Sequence, residues 1–158
     1  MTEFLFFVDL PKTHQLLHDW HNLVKSYGGF LIGTVTEDSS VAAYYGTKEK
    51  PELDIVLSKQ LTATPSSVSY GQYINQTVQN YMGSVPAKFG WPGWILDGPQ
   101  YKRLTRYTRP LIVRLWNLCL LTLPGSPYFY YGDEIMLKDS LGKSTTAMAW
   151  ENVKNGGK

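Results

Sequence analysis

The run Leu118-Cys119-Leu120-Leu121-Thr122-Leu123-Pro124-Gly125-Ser126-Pro127-Tyr128-Phe129-Tyr130-Tyr131-Gly132-Asp133-Glu134-Ile135 constrains the fold more than any other stretch. An apolar helix end, Leu118 to Leu123, is stopped by Pro124-Gly125, because proline cannot continue the hydrogen-bond ladder and glycine accepts a left-handed cap. A short aromatic strand, Pro127 to Tyr131, follows, and Gly132-Asp133-Glu134 turns out of it. Helix, tight loop, buried strand and acidic loop at the strand's C-terminal end form one unit of an α/β fold.

At 158 residues the chain is long enough for a real core but too short for a whole (β/α)8 barrel, which needs about 250 residues. A net charge of +2 with no basic stripe argues against nucleic acid as the main partner. Aromatic side chains make up 14% of the chain, a content that serves carbohydrate-binding surfaces and packed barrel cores alike. Cys119 is the single cysteine, so no internal disulfide forms; within its apolar helical run it reads as a small buried hydrophobe, not a metal or catalytic ligand. No apolar run approaches the about 20 residues a membrane helix needs, and Met1-Thr2-Glu3-Phe4 has neither a basic region nor a cleavage site. Any membrane anchor is expected outside these residues.

In chain order, Asp9 or Thr13 is available to cap a helix with Leu16, Leu17, Trp20, Leu23 and Val24 at helical spacing, ended by Tyr27-Gly28-Gly29. His14, His18 and His21 lie at i, i+4 and i+7 on it; they read as polar residues of a solvated face, because no HExxH-type carboxylate accompanies them to complete a metal site. Phe30 to Val35 reads as a buried parallel strand, Val41 to Tyr45 as the start of a weak helix closed by Gly46, and Glu52 to Leu57 as the next strand. Val68 to Met82 follows as a helix with Tyr73, Val78 and Tyr81 as its apolar positions. Asn75-Gln76-Thr77 is an N-glycosylation sequon, meaningful in an extracellular protein. Gly90 to Gly93 reads as a turn, Trp94 to Leu96 as a strand ending in Asp97-Gly98-Pro99, and Thr108 to Leu123 as the most hydrophobic helix, with Pro110 in its first turn.

Four helix–strand pairs suit strands five to eight of a barrel or a small doubly wound sheet. The run Leu123-Pro124-Gly125-Ser126-Pro127 followed by Tyr131-Gly132-Asp133-Glu134-Ile135 resembles the eighth strand of the glycoside hydrolase barrels related to α-amylase and α-glucosidase (family 13). Within that clan it is most similar to the heavy-chain subunits of heteromeric amino-acid transporters, solute carrier family 3. The resemblance implies a partial TIM (β/α)8 barrel, residues 1–158 forming its C-terminal half, with the first half and any membrane anchor elsewhere.

In the active enzymes the nucleophilic Asp comes from strand four, the acid/base Glu directly after strand five, and a stabilising Asp from an Asn-His-Asp-x-x-Arg run after strand seven. Aligning Phe30-Leu31-Ile32-Gly33-Thr34 with strand five places Val35 at the acid/base position, with Glu37 two residues on as an alternative. Valine cannot carry a proton to a leaving oxygen. Aligning on Trp94 and Arg103 puts Pro99 at the His position and Gln100 at the Asp position, with Asp97 three residues early. Gln100 carries no charge to stabilise an oxocarbenium-like transition state. Catalytic positions are therefore expected to be degenerate, with no cofactor or metal. What the resemblance implies is a catalytically inactive, glycosylated (Asn75) ectodomain segment of a type II plasma-membrane protein, partnered by a multi-spanning transporter light chain and by the remaining half of the barrel. The competing expectations are an α-glucosidase-type hydrolase using Glu37 or Asp97, and a truncated product with no role of its own.

Overall fold

The structure, a computed structural model, describes residues 9–35, 41–62, 69–88, 90–99, 101–138, 147, 148 and 150. Four parallel strands, β1 (Ile32–Val35), β2 (Ile55–Ser58), β3 (Trp91–Ile95) and β4 (Ser126–Tyr128), lie side by side in chain order. Helices α1 (Pro11–Ser26), α2 (Tyr70–Ser84) and α3 (Pro110–Thr122) and a short 3-10 helix, Val41–Tyr45, precede the strands in turn. Parallel neighbours reached through helical crossovers are the wall of a (β/α)8 barrel. The expected partial barrel is what the chain forms.

The core gathers Val35, Tyr44, Tyr45, Val56, Leu61, Tyr81, Trp94, Leu96, Val113, Trp116 and Leu120 between sheet and helices. α3 begins with Pro110 in its first turn, where the missing N–H costs nothing, and buries Val113, Trp116 and Leu120 along one stripe. α2 is capped by Ser69, whose hydroxyl accepts from Gln72 N while Gln72 answers to the Ser69 backbone, a reciprocal capping box.

Several boundaries differ from the sequence reading. Gly90 to Gly93 is not all turn: Trp91, Pro92 and Gly93 belong to β3. The reason lies in α2. Trp91 N donates to Asp54 O at 3.1 Å, and two residues later the Tyr81 hydroxyl is set between strands, accepting from Gly93 N at 3.1 Å and donating to Val56 O. The Tyr45 hydroxyl, 3.0 Å from that of Tyr81, donates to Trp91 O. A side chain thus holds together two strands one of which contains a proline. Gly93 has no room for a Cβ, which would come within 2.6 Å of Ile55 Cγ2.

Gly125 is not the cap of α3. The helix ends at Leu123 in an extended conformation (φ −74, ψ 148), imposed by the following Pro124. Gly125, at φ 121, instead lets the chain pass against Pro92, whose carbonyl oxygen a Cβ would approach to 2.6 Å. Neither Asp9 nor Thr13 caps α1: Leu10 is the N-cap residue and gives no side-chain hydrogen bond. The final strand stops at Tyr128, and Tyr131 to Met136 form turns, with Gly132 at φ 87.

The face of α1 also differs. His14, His18 and His21 are not on a solvated face; they turn toward the approach to β2. His18 Nδ1 donates to Pro51 O at 2.8 Å and His21 Nδ1 to Glu52 O at 2.8 Å, while His14 meets the Glu52 carboxylate. Of the expected apolar stripe, Leu17 packs on the core, but Leu16, Trp20 and Leu23 are exposed.

Candidate functional site

In barrels of this kind, functional groups stand at the C-terminal ends of the strands. β1 ends in Val35, buried and opposite Ser58 of β2. After β2 comes Lys59, whose Nζ lies 3.7 Å above the Tyr101 ring. Burial pushes the Lys59 ammonium below its usual range, while the charge of Asp97 works against that shift.

After β3 comes Asp97, 2% exposed. Its Oδ2 accepts from Leu104 N at 2.9 Å, closing the loop that leads to the 3-10 helix Leu104–Arg106. In the sequence it reads as a turn residue or a stand-in for a catalytic carboxylate; the hydrogen bond from Leu104 N is a loop-closing contact.

After β4 comes Asp133, buried against Arg103. Arg103 Nη1 donates to Asp133 Oδ1 at 3.1 Å, and the guanidinium lies 4.2 Å from the Tyr130 ring and 4.7 Å from the Tyr131 ring. Asp133 Oδ2 accepts from Tyr130 N, and Asn117 of α3 donates to the Asp133 carbonyl. Burial, then the nearby charge of Asp97, pushes the Asp133 carboxyl up to about 7; Arg103 opposes the shift and does not cancel it.

The site is therefore the buried Asp97, Arg103 and Asp133, with the half-buried Tyr130 ring and the exposed Tyr131 ring against the guanidinium. Chemically it is a charge-paired clamp between the loop after β3 and the turn after β4. A cleft of about 460 Å³ beside it is lined by Lys59, Thr62, Tyr101, Tyr107 and Trp116, among others. Retaining glycosidases hold two carboxyl groups about 5–5.5 Å apart across the scissile bond. Here the two carboxylates hold loops, one through a backbone amide and the other through an arginine.

Of the residues singled out in the sequence, Val35, Asp97 and Pro99 lie at strand ends on this side, Pro99 exposed. Glu37 and Gln100 lie outside the described residues. Asn75 is exposed on α2, whereas Thr77 of the same sequon is buried. No group of three or more metal-ligating side chains occurs among the described residues. In the sequence Arg103 serves only to align the run after β3, and Asp133 and Lys59 carry no assigned role. The available signals are a lysine directly after an apolar strand and an acidic loop a few residues beyond an aromatic one.

The chain belongs to the α-amylase catalytic-domain family, which matches residues 3–157. It is similar to the amino acid transporter heavy chain SLC3A1 of Rattus norvegicus, 29% identical over 91% of this chain and 24% of that protein. The Homo sapiens heavy chain SLC3A1 is 30% identical over 72% of this chain and 18% of its own length. A salivary alpha-glucosidase of Anopheles gambiae is 27% identical over 83% of this chain and 23% of its own. Among solved structures, the alpha-glucosyl transfer enzyme XgtA superposes with a TM-score of 0.65 at 23% identity, over 83% of this chain and 25% of that one. The chain thus spans a quarter or less of the length of these relatives.

Proposed function

We propose that residues 1–158 are the C-terminal half-barrel of a non-catalytic, glycosidase-like ectodomain belonging to an amino-acid transporter heavy chain. In this reading the whole protein is an ancillary subunit that stabilises a multi-spanning transport chain and carries it to the plasma membrane. What supports it is the sequence aligned on Gly33-Thr34 and on Trp94 and Arg103. In that alignment Val35, Pro99 and Gln100 fall at the positions that the enzymes give to the acid/base and to the His-Asp pair, and the nearby Asp97 accepts from Leu104 N.

Two further features support the half-barrel part. Ile32, Trp91 and Tyr128 of the strands are exposed, and Phe30, Ile32, Ile55 and Trp91 line a cleft of about 540 Å³. The terminal helices each show an apolar seam to solvent, Leu16, Trp20 and Leu23 on α1 and Leu111, Leu115 and Leu118 on α3. Remaining strands and helices of a closed barrel would cover both. No helix among the described residues is long and apolar enough to cross a membrane. The exposed Asn75 is the glycan acceptor of this extracellular reading.

The test is co-expression of the full-length protein with a multi-spanning transport subunit, reading surface biotinylation and amino-acid uptake. The proposal predicts that the transport subunit reaches the surface only with its heavy chain; equal surface levels without it would overturn the proposal. The glucosidase relatives, the Anopheles gambiae protein and the maltase A1 of Drosophila melanogaster, favour a second reading as an α-glucoside hydrolase. Cleavage of an α-glucoside by the full-length protein separates the two.

A further inference from the structure

His14, in the first turn of α1, is held between two carboxylates. Its Nδ1 lies 2.7 Å from Glu52 Oε2 and its Nε2 lies 2.9 Å from Asp9 Oδ1. A neutral imidazole has one N–H and one lone pair, so in that form one of these short contacts would set a lone pair against a carboxylate oxygen. Only the imidazolium donates to both. Glu52 is 6% exposed, and a buried carboxylate needs such a partner.

Asp9 supplies an independent sign that the arrangement is held by its contacts. It adopts φ 57, a left-handed conformation uncommon outside glycine. It is kept there by His14 and by its own N–H, which donates to the Tyr44 hydroxyl at 3.0 Å. The Tyr44 ring in turn lies 5.2 Å from the imidazole.

We propose that His14 is a proton-controlled latch: as the imidazolium it ties the start of α1 through Asp9 and Glu52 to the approach to β2, and on losing its proton it lets that turn open. The groups that face it are Asp9 from the preceding turn, Tyr44 from the 3-10 helix and Glu52 from the approach to β2. Along α1 itself, His18 is turned to Pro51 O and Asn22, and His21 and Lys25 face Asp54. Those lower contacts keep the rest of α1 docked when the first turn is released, so the opening is local. Burial pulls the His14 imidazole down, and its hydrogen bonds to Glu52 and Asp9, with the charges of those carboxylates, outweigh it, raising the group above its usual 6.5. A raised histidine gives stability that is full below 6.5 and is lost as pH climbs through the folded-state value. The latch is independent of whether the barrel is catalytic.

The test is histidine-selective NMR titration of the full-length protein, together with hydrogen exchange of the peptide covering residues 10–18. His14 should titrate above its usual value, and exchange in that peptide should speed several-fold as pH rises through the His14 midpoint, with α2 unaffected. Glu52→Gln should bring the His14 midpoint down, and His14→Gln should flatten the pH dependence of exchange. The latch is overturned if wild-type His14 titrates at or below 6.5, or if exchange in His14→Gln keeps the wild-type pH profile. The wild-type titration decides even where a variant fails to fold.

Discussion

Arg103 and Asp133 meet at 3.1 Å with side chains 1% and 6% exposed, and the pair joins the loop after β3 to the turn after β4. Breaking a buried pair from one side leaves an unpaired charge in the interior, at a cost of about 3–5 kcal/mol. Above pH 7, where the Asp133 carboxyl is ionised, Arg103→Met should therefore lower the unfolding free energy by about that much in denaturant titrations. Arg103→Met combined with Asp133→Leu should recover a large part of it. A single variant as stable as wild type would show that the pair holds nothing.

Asp133 makes stability depend on pH in a direction unusual for an aspartate. Its carboxyl is raised from 3.8 to about 7 by burial and by Asp97. Between those values the folded chain holds a proton that the unfolded chain has released, so stability falls as pH rises through that window. Unfolding measured from pH 4 to 8 should show this negative slope, and Asp133→Asn should reduce it. An unchanged slope in that variant would assign the effect to other groups.

The Tyr81 hydroxyl serves two backbone groups at once, Gly93 N and Val56 O, in the β2–β3 seam. Tyr81→Phe leaves both buried without that partner, at about 1–3 kcal/mol for each unsatisfied group. The expected result is a drop of that order in thermal or denaturant stability, with exchange of the Gly93 amide accelerated first. A near-neutral effect would mean that the strands close directly on each other.

Residues 1–158 expressed alone should be poorly soluble. Among the described residues the outer edges of β1 and β4 have no strand partner, and the seams on α1 and α3 face solvent. Size-exclusion chromatography with light scattering should find large or heterogeneous species. A monodisperse, cooperatively unfolding monomer would contradict the half-barrel account.

Local chemistry made much of the fold legible: Pro110 at the start of α3, Pro124 past its end, Gly46 after the 3-10 helix and the apolar β1 and β2 runs all act over a few residues. What was hidden acts at long range. Pro92 and Gly93 read as a turn because the hydroxyl that makes them strand residues comes from Tyr81 on another element. The histidines of α1 read as solvated because their partners, Pro51 and Glu52, lie more than 30 positions away. Arg103 and Asp133 are 30 residues apart, and no spacing rule links them. The expected replacements at the acid/base and His-Asp positions rest on the family resemblance, because spacing alone does not say which strand end carries the acid.

In the proposed function the strand ends of this α-amylase-family barrel do not catalyse. The direct measurement is α-glucoside hydrolysis by the purified full-length protein, with Glu37→Gln and Asp97→Asn beside it. The account predicts no turnover above the uncatalysed background in any of the three. Turnover by the wild-type protein that Glu37→Gln or Asp97→Asn abolishes would contradict it and make the protein a hydrolase.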